Sequence, residues 1–146
     1  MPKVLIVDDL DSNRYVLKIM FRLFGPDSPI EVLEASSGVA SVEIIRNQKP
    51  DLILMDVKME REDSGIEAVK AIRSLPEFRD TPIWAVTAQA MEAHDGLDSD
   101  RDRCLKAGFN DYYTKPIRQA VIIPRISDLL GVPIPEKTKL RMGLPT

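Results

Sequence analysis

The sequence predicts a doubly wound α/β domain, a five-stranded parallel sheet flanked by five helices. Three observations carry this expectation. Short apolar runs, such as residues 4–7, 52–55 and 83–86, recur along the chain. Each is followed by a longer amphipathic stretch, and strand–helix alternation means parallel strands with helical crossovers. The runs are apolar at every position rather than alternating, as in strands covered on both faces. The 146 residues suit one domain of about 100–150 residues with one buried core.

The elements follow in order. Residues 4–7 (Val-Leu-Ile-Val) are continuous, β-branched and ended by acids, so they read as a buried strand. A helix follows, capped by Asp11 or Ser12, with Leu17, Met20, Phe21 and Phe24 at i, i+3, i+4 and i+7. Gly25-Pro26 stops it. Residues 30–35 form a second strand, and Ser36-Ser37-Gly38 opens a helix carrying Val42 and Ile45 that ends before Pro50. Residues 52–55 are a third strand, closed by Asp56. Ile66, Val69 and Ile72 mark a third helix ending near Pro76. Residues 83–86 are a fourth strand, with Pro82 at its entry, where a missing N–H is tolerated. The stretch 89–102 is polar and acid-rich, with a helix at its far end running through Leu105 to Ala107 and closed by Gly108. Residues 111–113 are a short fifth strand, and a last helix runs to about Leu130. Pro124 loses no hydrogen bond only within a first turn, so this helix is expected to start near Ala120 or later, or else to kink. Residues 131–146, with Pro133, Pro135 and Pro145, read as a C-terminal tail with no output domain visible, which leaves 1–130 as the domain.

Composition narrows the function classes. The net charge of −3 argues against nucleic-acid binding by bulk electrostatics. The charge is uneven: residues 1–116 hold 15 Lys/Arg against 21 Asp/Glu, and residues 117–146 hold 5 against 2. No apolar run approaches the ~20 residues needed to cross a bilayer. The N-terminus has one lysine before Asp8 and Asp9, which is no secretory signal. A single cysteine, Cys104, makes no internal disulfide, and a reducing cytoplasm is the expected location.

In open parallel sheets ligands bind beyond the carboxyl ends of the strands. Those ends carry Asp8 and Asp9, Asp56, Thr87, and Lys115-Pro116. Three carboxylates held close repel one another unless a cation sits among them, and hard oxygen ligands suit Mg²⁺. A lysine and a hydroxyl beside such a cation match a phosphoryl group, whose charge is spread over three oxygens. An aspartate carboxylate is a nucleophile toward phosphorus, and its product is an acyl phosphate. Phosphoryl transfer is the chemistry these residues imply.

Asp8-Asp9, Asp56, Thr87-Ala88 and Lys115-Pro116, each at its own strand end, resemble in order the receiver domain of two-component response regulators over roughly residues 1–130. The resemblance implies the flavodoxin-like receiver fold and a phosphorylation-activated switch. It implies Asp56 as phospho-acceptor, with Mg²⁺ held directly by Asp9, Asp56 and the Lys58 backbone carbonyl, and by Asp8 mainly through water. Mn²⁺ is the implied substitute. Lys115, Thr87 and the Ala88 N–H would contact the phosphoryl group. Thr87 and Tyr112 would form the switch, Tyr113 being the competing tyrosine. Lys58 and Gln89 would tune hydrolysis, and Pro116 matches the family's proline, often preceded by a cis peptide bond. The implied donor is a sensor histidine kinase or histidine phosphotransfer protein. The implied output is protein contact through the fourth helix, fifth strand and fifth helix, to an unknown downstream target, with a homodimer left open and neither nucleic acid nor membrane involved. Such a chain has intrinsic phosphotransfer and autodephosphorylation chemistry without being a conventional enzyme.

The sequence departs from that family in three places. Glu60 stands where the family has a proline, and Gly65 lies nine residues after Asp56 rather than eight, which suggests one residue inserted in 60–64. The stretch between Thr87-Ala88 and Cys104-Leu105 is longer than the family's usual spacing by several residues, with the excess expected in 93–100 and read as a partner-specific or dynamic element. Pro124 is the third. A phosphatase of the haloacid-dehalogenase type is the alternative, but it wants a second aspartate where Lys58 stands. A nucleotide- or flavin-binding protein is disfavoured because neither GxGxxG nor a P-loop is present. His94 reads as an exposed loop histidine, Cys104 as a small buried hydrophobe, Trp84 as a core residue, and Lys137, Lys139 and Arg141 as a solvated tail.

Overall fold

Parallel strands rich in Val, Ile and Leu must bury both faces, and the chain does this with one sheet between two helical layers. The computed structural model describes residues 1–59, 64–88 and 100–145. In chain order the elements are β1 (Lys3–Val7), α1 (Asp11–Met20), β2 (Glu31–Ala35), α2 (Gly38–Gln48), β3 (Leu52–Met55), α3 (Ser64–Arg73), β4 (Ile83–Thr87), α4 (Asp100–Ala107), β5 (Asp111–Thr114), α5 (Gln119–Leu130) and α6 (Glu136–Met142). The five strands form one parallel sheet in the order β2-β1-β3-β4-β5.

The two-residue period of a strand sorts the core. Leu5, Val7, Ile53, Met55, Ile83 and Ala85 face a layer with Ile45, Val69, Ile72 and Cys104, contributed by α2, α3 and α4. Val4, Ile6, Leu52, Leu54, Trp84 and Val86 face Leu17, Met20, Ile122, Ile123 and Ile126, contributed by α1 and α5. All four residues of β3 are fully buried, as a central strand requires.

Several helix ends differ from the sequence expectation. Neither Asp11 nor Ser12 caps α1. Leu10 is the N-cap, and its aliphatic side chain offers no acceptor; the Asp8 carboxylate two residues upstream accepts the Leu10 N–H at 3.0 Å. At its other end α1 tightens into a 3₁₀ turn, Phe21–Phe24, which still buries both phenylalanines. Ser37 caps α2 through a bond from the Ala40 N–H, and Lys49 closes it in the left-handed conformation before Pro50. The α5 helix begins at Gln119, one residue ahead of the expected limit, so Pro124 falls in its second turn and leaves the Ala120 carbonyl without the usual donor. The helical run is continuous through it.

A sixth helix, α6, forms within the segment read as a tail. Val132 is buried, Ile134 and Met142 pack on the α1/α5 side, and the Thr138 hydroxyl donates to the Leu23 carbonyl at 2.8 Å. Lys139 pairs with Glu136 at 3.5 Å, while Lys137 and Arg141 are exposed.

One side chain ties the lower half of the α3/α4 layer together. Arg73, the last residue of α3, donates to the carbonyls of Gly108 at 2.8 Å, Phe78 at 2.8 Å and Thr81 at 2.7 Å, and to Asn110 Oδ1 at 2.7 Å. Asn110 Oδ1 also accepts the Ile83 N–H at 2.8 Å, which links the entries to β4 and β5. Arg73→Met removes five donors and leaves partly buried acceptors unmet. We expect a loss of about 2 kcal/mol in urea unfolding. Arg73→Lys is expected to recover less than half, because a point ammonium does not reproduce the fork.

Candidate functional site

The strand order reverses direction between β1 and β3, which opens a crevice at their carboxyl ends. The backbone continues the ladder just beyond each strand. Asp56 N–H bonds the Val7 carbonyl at 2.9 Å, Asp8 N–H the Ala35 carbonyl at 3.1 Å, and Lys115 N–H the Thr87 carbonyl at 2.7 Å. These bonds hold Asp8, Asp56 and Lys115 at one edge of the sheet.

There the side chains converge. One carboxylate oxygen from each of Asp8, Asp9 and Asp56 lies within 4.8 Å of the others. Asp8 and Asp56 are buried and Asp9 is exposed, so the cluster opens to solvent on one side. The Lys115 ammonium reaches Asp8 Oδ2 at 2.9 Å and Asp56 Oδ2 at 3.6 Å. The Lys58 N–H donates to Asp56 Oδ1 at 3.2 Å, which turns the loop after β3 around the carboxylate. The Lys115–Pro116 peptide is cis.

The two buried acids are driven apart in acidity. Burial raises Asp56, the nearby Asp8 carboxylate adds to this, and Lys115 only partly offsets them, so its pKa is pushed up to about 6. Burial also works to raise Asp8. The hydrogen bond from the Leu10 N–H and the contact with Lys115 outweigh it and hold Asp8 below the usual carboxylate range. Asp8 is thus the settled anion of the pair, and Asp56 carries an unmet demand for positive charge.

Thr87 ends β4 with 1% of its surface exposed, and its Oγ1 has no hydrogen-bond partner among the described residues. Such orphans are rare and mark places where a polar group belongs. Ala88 follows it at the surface. Register separates the two tyrosines: Ala85 pairs with Tyr112 and Thr87 with Thr114, so Ala85, Thr87 and Tyr112 point to the α3/α4 side. Tyr113 points the other way and is locked there. Its hydroxyl donates to Asp111 Oδ2 at 2.7 Å and accepts from Arg125 at 2.9 Å, and its ring packs on Trp84 at 5.5 Å. Burial, followed by the bond to Asp111, pushes the Tyr113 hydroxyl up to about 12.

Gln89, His94, Glu60 and the extra segment, except for Asp100 at the start of α4, lie outside the described residues. Two residues that sequence reasoning passed over also support the site. Arg14 donates to the Asp8 carbonyl at 2.6 Å and to Glu34 at 3.2 Å and pairs with Asp11, while Asn13 reaches Asp8 Oδ1 at 3.4 Å. Their signal was a position on the first turn after the acidic pair, where side chains point back at the preceding loop. Gly65 sits against the backbone that follows β3. Its N–H bonds the Val57 carbonyl at 2.9 Å, and a Cβ there would lie 2.3 Å from the Asp56 carbonyl oxygen.

The comparisons with known proteins agree with one another. The family described as Response regulator receiver domain matches residues 4–127. The polar-differentiation response regulator DivK of Brucella anthropi is 33% identical over 132 residues, covering 90% of this chain and 98% of that protein. Among solved structures, a putative response regulator from Chloroflexus aurantiacus superposes with a TM-score of 0.73 at 31% identity, over 90% of this chain and 99% of that one. The receiver domain of a sensor histidine kinase from Pseudomonas aeruginosa, which has a magnesium ion coordinated in its active-site cleft, superposes with a TM-score of 0.70 at 33% identity, over 89% and 98%. The chain belongs to the response regulator receiver domain family, the phosphorylation-activated signalling modules of two-component systems.

Proposed function

We propose that Asp56 accepts a phosphoryl group from the phospho-histidine of a sensor kinase or phosphotransfer protein. The P–N bond of the donor breaks as the bond from an Asp56 carboxylate oxygen to phosphorus forms, and the imidazole leaves. The observation that carries this reading is the meeting of three carboxylates and the Lys115 ammonium around Asp56. Carboxylates so placed fit a hard divalent cation: Asp9, Asp56 and the Lys58 carbonyl would hold Mg²⁺ directly, and Asp8 through water. Bound there, Mg²⁺ (or Mn²⁺, which has similar ligand preferences) neutralises charge on the transferring group. Lys115 swings from Asp8 toward the phosphoryl oxygens, while Arg14 and Asn13 keep the acidic loop in place.

The new dianion offers acceptors to the orphaned Thr87 hydroxyl and the Ala88 N–H. As Thr87 moves toward them it vacates space on the α3/α4 side, where Tyr112 packs. Tyr112 is the switch because Tyr113 is held by Asp111 and Arg125. The faces of α4, β5 and α5 then change shape for protein contact, a shift between two pre-existing states. Residues 1–130 are the switching unit and 131–146 an appended segment. Lys58 and Gln89 set how fast the acyl phosphate hydrolyses. The cytoplasm is its place of work. No helix among the described residues is long and apolar enough to cross a membrane.

Incubation with acetyl phosphate and Mg²⁺, followed by intact mass, tests the reading: one added phosphoryl group per chain is expected. Multiple-turnover release of phosphate from an organic phosphomonoester, without a phosphorylated protein, would return the phosphatase alternative. Thr87→Val removes an unmet buried hydroxyl at nearly constant shape. The unphosphorylated protein is expected to be unchanged or more stable by up to about 1 kcal/mol. Phosphoryl uptake should persist, while the phosphorylation-induced change in Tyr112 fluorescence or NMR shifts is lost.

A further inference from the structure

Glu34 stands on β2, an edge strand of the sheet, and is not one of the three clustered carboxylates. It pairs in register with Ile6, which faces α1, so its side chain lies on the α1 side of the sheet. Arg14 and Lys18, four residues apart on α1, meet it there. Arg14 Nε donates to Glu34 Oε1 at 3.2 Å, and Lys18 Nζ to Glu34 Oε2 at 3.1 Å. The Arg14 side chain is only 11% exposed, and its far end gives a bond of 2.6 Å to the Asp8 carbonyl. The Asp8 N–H in turn bonds the carbonyl of Ala35, the residue after Glu34, at 3.1 Å. These contacts close a ring that runs from the Asp8 N–H to Ala35, along the chain to Glu34, across to Arg14 and back to the Asp8 carbonyl. A peptide unit is planar, so the direction of the Asp8 carbonyl fixes the Asp8–Asp9 peptide and the point from which Asp9 departs. Asp9 is the exposed acid of the three, and burial does not fix its place.

Resting on the receiver reading above, we propose that Glu34 is a remote positioning residue of the metal site: it aims the Arg14 guanidinium at the Asp8 carbonyl and so sets the Asp9 carboxylate for Mg²⁺. Arginine suits this place because its rigid fork serves two acceptors in different directions, whereas an ammonium is a single point charge. Mg²⁺ demands near-octahedral ligands at close range, so a small rotation of the Asp8–Asp9 peptide costs affinity. Partners that orient a metal ligand are typically worth about 10–100-fold in affinity. Acting as charge alone, Arg14 would do the opposite, since a cation beside the acid cluster repels Mg²⁺. The sign of the effect therefore separates placement from electrostatic field.

The test titrates Mg²⁺ into the metal-free full chain and follows amide NMR shifts. Arg14→Gln removes the fork and a positive charge, and its Mg²⁺ affinity is expected to fall about tenfold, where a field effect would raise it. Arg14→Lys keeps the charge and is expected to lose about threefold or more, which preserves the test should the glutamine variant fail to fold. Glu34→Gln is expected to lose about threefold, and to add nothing when combined with Arg14→Gln, because it acts through the arginine. Lys18→Gln, which touches Glu34 but not Asp8, should stay within about twofold of wild type. Unchanged or tighter Mg²⁺ binding in either Arg14 variant, or a double variant whose loss is the product of the single losses, would overturn the proposal. Intact mass after acetyl phosphate and Mg²⁺ keeps the two readings apart. Phosphoryl uptake by wild type, with a Mg²⁺ affinity indifferent to Arg14, sinks the ring alone. Arginine-dependent Mg²⁺ affinity without uptake sinks the acceptor assignment and leaves the ring standing.

Discussion

In metal-free protein at pH 8, Asp56→Asn is expected to raise the free energy of unfolding by about 1–3 kcal/mol, and with acetyl phosphate and Mg²⁺ present to abolish phosphoryl uptake. The sign follows from the raised pKa. Folded Asp56 titrates at about 6 against an ordinary value of 3.8. Below pH 4 the group is protonated in both states and contributes nothing. Between about 4 and 6 the unfolded chain ionises first, so stability falls as pH rises. Above 6 the folded state carries a buried carboxylate beside Asp8 and the full penalty. Asparagine cannot ionise and removes it, while Lys115 keeps Asp8 at 2.9 Å. Asp8 works in the opposite sense, since its lowered value contributes stability above pH 4 that is lost as pH falls further. Urea unfolding in EDTA at pH 4.5, 6 and 8 measures the Asp56 slope, and further points at pH 3 and 4 measure that of Asp8. A cation favours the ionised form, so added Mg²⁺ should stabilise wild type more at pH 8 than at pH 5, and Asp56→Asn much less at either. Identical pH slopes in the two proteins would refute the assignment.

Gly65→Ala is expected to cost about 4 kcal/mol or more and to slow phosphoryl uptake by the remaining folded protein. A Cβ on Gly65 would sit 2.3 Å from the Asp56 carbonyl oxygen and 2.7 Å from the Val57 Cα. Both are backbone atoms of the Asp56–Val57 segment, so neither can yield without moving Asp56 itself. Gly131→Ala is the control. Gly131 has a φ of +68°, and nothing lies within 4 Å of its would-be Cβ, so only the left-handed backbone opposes substitution. That costs about 1 kcal/mol and leaves uptake unchanged. Denaturation midpoints together with uptake rates separate the two: equal losses would mean that Gly65 is merely conformational.

Gly65 also shows where reading the chain stops. Its position nine residues past Asp56 counts as a departure from the family spacing, yet in the structure it packs directly on the Asp56–Val57 backbone. Spacing along the chain does not report closeness across a turn. The cap of α1 is a similar case. Asp11 and Ser12 are good capping residues by type, but the helix already starts at Asp11, which puts both inside its first turn, and Asp8 accepts the Leu10 N–H ahead of it.

What the sequence determined by itself is what depends on neighbours a few residues away. The places of the strands, the stops at Gly25 and Pro50, the Ser37 cap and the acids at strand ends follow from periodicity and turn chemistry. These act over one or two turns of chain. The tertiary structure alone decided which distant groups meet. It set Tyr112 and Tyr113 against different neighbours on the two faces of the sheet, set Lys115 on Asp8 more closely than on Asp56, and gathered five acceptors around Arg73. Such pairings depend on strand order and on which face each side chain takes. A one-residue shift of register reverses that face while leaving every local pattern intact.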